Sequence, residues 1–123
     1  MRTKVFFDGG CRPNPGTMEI AIVIAGQEHV VQDLGWGTSM DAEWLALINA
    51  LRLARDCGLT DFVLLGDSAA VIGQANGIFK CRGAGLRHIA EFHALAGDER
   101  LPIRYIKRAQ NLAGISLTRL HDR

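Results

Sequence analysis

Three acids, each beside a run of apolar residues, carry the chemistry that this chain is best placed to do. Asp8 closes Val5-Phe6-Phe7-Asp8 and is followed by Gly9-Gly10. Glu43 stands near the start of a long amphipathic stretch, Asp41-Ala42-Glu43-Trp44-Leu45-Ala46-Leu47. Asp67 follows Phe62-Val63-Leu64-Leu65-Gly66 and precedes Ser68. Acids at strand ends and helix starts of an α/β fold can converge in one cleft, and converging carboxylates bind hard divalent cations. Magnesium takes an octahedral shell of oxygens. Two such ions about 4 Å apart can activate a water and stabilise the leaving oxygen of a phosphodiester. Asp8, on the strand expected at the centre of the sheet, is the choice for the bridging carboxylate. Asp67 would close the adjacent parallel strand, and Glu43 would reach the same point from the first turn of the helix between them. Acids that do not meet would be ordinary caps or surface groups.

Other residues have two readings each. Gly9 and Gly10 allow close backbone approach, as a phosphate or sugar would require, or make a plain tight turn. Asn14, between Pro13 and Pro15, is held where its amide could bond a nucleic-acid backbone or make an Asx-turn. Asn76-Gly77 reads first as a helix C-terminus and second as a nucleic-acid contact. Trp36 and Trp44 could stack on a base or sugar, but core packing is the commoner fate of tryptophan. His29, His88, His93 and His121 show no metal-pair spacing and are expected to be structural or exposed. Cys11, Cys57 and Cys81 are odd in number and lack Cys-x-x-Cys spacing, which excludes a disulfide framework or a structural zinc site.

The elements that must position these groups follow from the apolar pattern. Lys4–Asp8 is strand-like, and 8–16 is turn material. Ile20–Ala25 is wholly apolar, as expected for a strand covered on both faces. The short Gly26-Gln27 turn makes His29–Leu34 its antiparallel partner. A helix capped by Thr38, Ser39 or Asp41 runs to about Asp56, with Ala42, Leu45, Ala46, Asn49, Ala50, Leu53 and Cys57 as its buried stripe and Gly58 as its terminator. Asp61–Leu65 returns parallel to the first strand. Ser68–Asn76 and Leu86–Ala96 are helical, Pro102–Ile106 is a short edge strand, and Asn111–Leu120 is a final helix. The predicted architecture is α/β: a five-stranded mixed sheet, its first three strands antiparallel and the rest parallel, flanked by helices.

Bulk properties are consistent with this. The 123 residues suit one domain with one core, residues 1–123, and 48% apolar content excludes a disordered chain. The apolar runs are too short to span a membrane, and Met1-Arg2-Thr3-Lys4 lacks a signal-peptide pattern, so a cytoplasmic protein is expected. Net charge is only +1, but the basic residues cluster late. Lys80, Arg82 and Arg87 form one group; Arg104, Lys107, Arg108, Arg119 and Arg123 form another. An acidic first half could hold metal while a basic second half holds phosphates.

The three acidic segments, in this order, resemble the ribonuclease H family. Asp8-Gly9-Gly10-Cys11-Arg12-Pro13-Asn14-Pro15-Gly16 is similar to its opening signature, an acid-glycine turn ending in Asn-Pro-Gly. Ala42-Glu43-Trp44-Leu45-Ala46-Leu47 resembles its Ala-Glu-aromatic-x-Ala-Leu helix start. Asp67-Ser68, with Val71 and Gln74-Ala75-Asn76-Gly77, resembles its third segment. The resemblance covers nearly the whole chain and matches the short forms that lack a basic protrusion. It implies a ribonuclease H-like fold and cleavage of the RNA strand of RNA–DNA hybrids with two Mg2+ or Mn2+ ions. Asp8 would bridge, and Glu43 and Asp67 would hold one ion. The RNA strand would be recognised through its 2′-hydroxyls near Gly10 and Cys11. Arg12, Asn14, Thr38, Ser39, Asn76 and Arg108 complete the residues expected to hold nucleic acid. The chain departs from the pattern at its last helix. The family's fourth acid, in Asn-x-x-Ala-Asp, falls on Ile115 of Asn111-Leu112-Ala113-Gly114-Ile115; a shift of one residue gives Gly114. Ser39 and Met40 replace paired amides, and Ala69 a common Gln. The resemblance therefore leaves a second reading open, a nucleic-acid-binding module of the same fold with weak or no cleavage. An actin-like ATPase would need a second glycine-rich phosphate loop, which is not seen.

Overall fold

A computed structural model describes residues 2–121; Asp122 and Arg123, the latter counted in the second basic group, lie outside the described residues. The strands are β1 (Thr3–Arg12), β2 (Gly16–Ile24), β3 (Gln27–Val31), β4 (Trp36–Gly37), β5 (Phe62–Gly66) and β6 (Ile103–Tyr105). The helices are α1 (Ser39–Asp56), α2 (Ala69–Ala75), α3 (Gly85–Ala96) and α4 (Leu112–His121), with a 3₁₀ turn at Arg108–Gln110. The sheet order is β3-β2-β1-β5-β6. β1, β2 and β3 are antiparallel, and β5 and β6 run parallel to β1. β4, not expected from sequence, adds two residues against β2. The sheet is therefore six-stranded rather than five-stranded, with the expected mixture of directions.

Alternation along β1 and β2 sorts the two faces. Val5, Phe7, Ile20, Ile22 and Ile24 point into the larger core beneath α1, with Trp44, Leu47 and Leu51. Phe6, Ala21 and Val23 face the other way, against Ala113 and Leu117 of α4. β2 is buried on both faces, as its unbroken apolar run required.

The largest revision concerns 8–16. It is a continuation of the hairpin: β1 stays paired with β2 through Gly9↔Ile20, Gly10↔Glu19, Cys11↔Met18 and Arg12↔Thr17. The ladder's backbone hydrogen bonds override the weak strand propensity of Gly-Gly. Asp8 thus sits inside a strand rather than at its end. It is still at an edge of a different kind, because the β1–β5 pairing stops at Phe6↔Leu65. Beyond that point β1 has a neighbour on one side only, and Asp67 leaves β5 beside the gap.

α1 is capped by Thr38, whose hydroxyl accepts from the Asp41 N–H at 3.1 Å while Asp41 accepts from the Thr38 N–H at 3.0 Å. Its buried arc is wider than the expected stripe, taking in Glu43, Trp44, Leu47, Ile48, Leu51 and Ala54. Leu45, Asn49 and Leu53 are only partly covered and Cys57 is exposed. The helix is packed on two sides, by the sheet and by α3, so a single-face stripe underestimates it. Trp44 is fully buried, donates to Gln74 Oε1 at 3.0 Å and stacks on His88, which bonds Asp41 at 2.9 Å. Trp36 does the opposite of what a core tryptophan would, at 74% exposed on β4.

The helix meets the sheet most closely at Gly9, where an added Cβ would lie 2.1 Å from the Ala42 carbonyl oxygen and 2.9 Å from the Glu43 nitrogen. Both obstacles are backbone, which cannot rotate aside. Gly9→Ala is therefore expected to lower stability by about 3 kcal/mol. Gly10→Ala, with nothing within 4 Å, should change it by less than about 0.5 kcal/mol. Chemical denaturation of the two variants checks the contrast.

Candidate active site

The glycine at position 9 is what brings two of the acids together. With no side chain between them, the Gly9 N–H donates to Glu43 Oε1 at 2.5 Å, and Glu43 is drawn in beside Asp8. Glu43 is the fifth residue of α1, in its second turn rather than its first. Asp67 arrives from the end of β5. One oxygen from each of Asp8, Glu43 and Asp67 lies within 4.8 Å of the others. The expected convergence of three segments is thus present in the geometry. An all-carboxylate donor set of this kind suits a hard divalent cation such as Mg2+ or Mn2+.

The trio is electrostatically strained. Asp8 and Glu43 are 6% and 8% exposed. Burial, followed by the repulsion of Asp8, pushes the Glu43 carboxyl up to about 9. Burial is also the main cause of the rise of Asp8 to about 6; the Glu43 hydrogen bond and the Arg108 guanidinium oppose it, and Asp67 adds to it. Buried carboxylates that repel one another await a positive charge.

Asn111 fixes the third acid. It is fully buried, and its Nδ2 donates both to the Phe7 carbonyl and to Asp67 Oδ2, each at 3.0 Å. Its Oδ1 accepts from the Ala113 N–H at 3.1 Å, so the same side chain caps α4. Asn111 was readable as a motif residue and a helix start, but not as the group that orients Asp67.

Around the trio opens a cavity of about 750 Å³ lined by Gly10, Cys11, Arg12, Asn14, Thr38, Ser39 and Arg108, among others. These are seven of the eight residues expected to hold nucleic acid. Asn14 accepts from the Ser39 N–H at 3.1 Å and from the Cys11 thiol at 3.6 Å, tying the β1–β2 turn to the start of α1. Asn76 is not among the lining residues; it ends α2 and donates to the Ile103 carbonyl at 3.0 Å. The close approach at Gly9 is made by α1 itself, which leaves Gly10 as the glycine open to the cavity. Glu19, Leu117 and Thr118 also line it and were not singled out from sequence; Met40 and Ser68, named there only within motifs, line it too.

The structure relocates the missing fourth acid. Ile115 is 39% exposed and faces a shallow hollow with Val23, Glu28 and Arg119. Gly114 faces the acids instead: a Cβ there would lie 3.4 Å from Asp8 Oδ2 and 3.5 Å from Asp67 Oδ2. Neighbouring helix residues point about 100° apart, so one residue of register moves the position from outside to inside. The inward position holds a glycine, so α4 contributes no carboxylate from it.

Comparison with known proteins agrees with this arrangement. The family model described as reverse transcriptase-like matches residues 6–121. Ribonuclease HI of Halobacterium salinarum is 32% identical over 117 residues, 89% of this chain and 59% of that protein. A bifunctional protein of Mycobacterium tuberculosis is 30% identical over 119 residues, 90% of this chain and 33% of its own length. The chain thus spans only part of the curated relatives it matches. The crystal structure of the Halobacterium salinarum RNase H1 superposes with a TM-score of 0.86 at 31% identity, covering 100% of both chains. LC11-RNase H1, solved in complex with RNA/DNA hybrid, gives 0.83 at 26% identity, covering 94% of this chain and 93% of that one. With a family model matched from β1 to the last described residue, and the mixed sheet and helices of an RNase H1, the chain belongs to the reverse transcriptase-like, ribonuclease H-like family.

Proposed function

We propose that the protein is a divalent-metal-dependent endonuclease that cleaves the RNA strand of RNA–DNA hybrids. The observation that carries this reading is the convergence of Asp8, Glu43 and Asp67, two of them buried and held back from ionising, at the floor of a cavity with Arg108 on its wall. Asp8, Glu43 and Asp67 would hold Mg2+ or Mn2+. When bound, the metal supplies Lewis acidity, making water a nucleophile near neutral pH and offsetting charge at the phosphate. The chain's own residues do the rest. Asn111 keeps Asp67 in one orientation, and the Gly9 N–H does the same for Glu43. Arg108 presents a guanidinium suited to a phosphate oxygen. Asn14, Thr38, Ser39 and Arg12 would line the path for the hybrid's backbones, and backbone groups at Gly10 and Cys11 would meet 2′-hydroxyls, the group that distinguishes RNA from DNA. The three cysteines are unpaired, which suits a reducing cytoplasmic setting.

A binding module with weak cleavage is the second reading, and Gly114 is the observation that favours it. The two separate on a labelled hybrid assayed across Mg2+ and Mn2+ series. Asp8→Asn should lower cleavage by at least about 100-fold while leaving hybrid affinity close to that of the parent. Binding by the parent without any metal-dependent cleavage would instead support the module.

The raised carboxyls make a second expectation. Their folded-state pKa values exceed the ordinary ones, so the folded, metal-free chain holds more protons than the unfolded chain. The resulting stability is full below about pH 4 and is lost as pH rises through about 6 and about 9. In chelator, the thermal midpoint should fall across that window. Asp8→Asn should flatten the slope and raise metal-free stability near neutral pH by about 2 kcal/mol. Added Mg2+ should restore the parent and not the variant. Calorimetric melting over pH, with and without Mg2+, reads all three.

A further inference from the structure

Within the metal-dependent reading proposed above, we infer that Glu19, entering from β2, supplies the carboxylate that position 114 of α4 lacks, and serves a second divalent ion on the α4 side of Asp8. The argument begins with strand geometry. Asp8 pairs with Ala21 and Gly10 pairs with Glu19, so Asp8 and Glu19 project from the same face of the sheet as diagonal neighbours. Such neighbours stand roughly 7–8 Å apart, within reach of a long side chain. That face is the one α4 covers: Ala21 and Val23, alternating with Glu19, pack on Ala113 and Leu117.

Asp8 therefore has a carboxylate on each side. Asp67 flanks it from β5, with Glu43 above. Glu19 flanks it from β2, while the room left by Gly114 opens from α4 onto the carboxylates of Asp8 and Asp67. Two ions bridged by one carboxylate lie about 4 Å apart, and a second ion on Asp8 would lie toward Glu19, across the cavity that both residues line.

Glu19 is an unusual residue for its place. It is 7% exposed and directly precedes the unbroken apolar run of β2, and it lines the same cavity as the three acids. Burying a carboxylate there costs free energy unless partners compensate. His121 Nε2 bonds Glu19 Oε1, and Gln32 Nε2 reaches Oε2 at 3.5 Å. These partners come from α4 and from just beyond β3, and with Glu19 they line a second, smaller hollow, so that Glu19 borders both this hollow and the cavity of the three acids. A purely structural ion pair pinning the end of α4 and a ligand role toward the site are separable by experiment.

Mn2+ titrated into the metal-free protein and followed by calorimetry should show two binding events. Glu19→Gln should weaken the weaker event roughly 10–100-fold and leave the tighter one within roughly twofold. Adding Gly114→Asp to Glu19→Gln should return the weaker event, since the carboxylate is then supplied from the facing side. If Glu19→Gln does not fold, Glu19→Asp keeps the charge, shortens the reach by one methylene and is expected to weaken the same event. The inference is overturned if the weaker event survives loss of Glu19 unchanged with only the melting temperature falling, or if the parent shows a single event. Either result leaves the one-ion reading of Asp8, Glu43 and Asp67 intact. No Mn2+ binding sensitive to Asp8→Asn would instead sink the metal-dependent reading itself.

Discussion

The site depends on one close approach, the backbone of β1 at Gly9 lying directly under the first turns of α1. Any side chain at Gly9 would lift the helix off the strand. With the helix down, the Glu43 carboxylate reaches the Gly9 N–H and is fixed beside Asp8. The capping box at Thr38 and Asp41 sets where the helix begins, and Asn14 bonds its first residue. Farther along, Trp44 locks the same helix to α2 through Gln74 and to α3 through His88. The position of one carboxylate thus rests on contacts spread over four elements, which is how a fold holds a group to the tolerance that chemistry requires.

That rigidity also holds three acids where they repel. Burial raises two of them, and the only relief among the groups acting on Asp8 comes from hydrogen bonds to Glu43 and Gly9 and from Arg108. A fold optimised for metal-free stability would replace at least one acid. Retaining all three is intelligible if a cation normally completes the cluster, since the ion's charge then inverts the local pKa logic. Asn111 belongs to the same economy of parts. A single buried amide caps α4, anchors it to β1 at Phe7 and turns Asp67 inward.

Much of this was readable from residue types. The apolar run of β2, the short turn after it and the long helix that follows set the strand directions. The three acids were recognisable because Asp8 and Asp67 each follow an apolar run and Glu43 stands near the start of an amphipathic helix. What was not readable depended on neighbours distant in sequence. Gly9-Gly10 looks like a turn until the β2 ladder is known. The buried arc of α1 looks like one stripe until α3 is seen on its far side. Trp36 and Trp44 are the same residue type with opposite fates, and only the location of each, an edge strand or a helix packed on two sides, decides between them. Asn76 carried a motif match, yet its amide is committed to the Ile103 carbonyl at the end of α2.

The register of α4 shows why a motif position and a place in space are different things. Counting from Asn111 puts Ile115 at the acid position, but the helix that Asn111 caps turns Gly114 toward Asp8 and Asp67 and Ile115 toward solvent. A ligand set is defined by where oxygens converge, not by which element delivers them. At Asp8 β1 is paired with β2 on one side and open on the other, where β5 has ended, so an acid can approach from the end of β5, from α1, from α4 or from β2. Position 114 leaves the α4 route empty, while on the β2 route stands Glu19, buried, partnered by His121 and Gln32, and among the residues that line the same cavity. On a scaffold where four routes lead to one aspartate, losing the acid on one of them does not by itself remove the charge that a second ion would need.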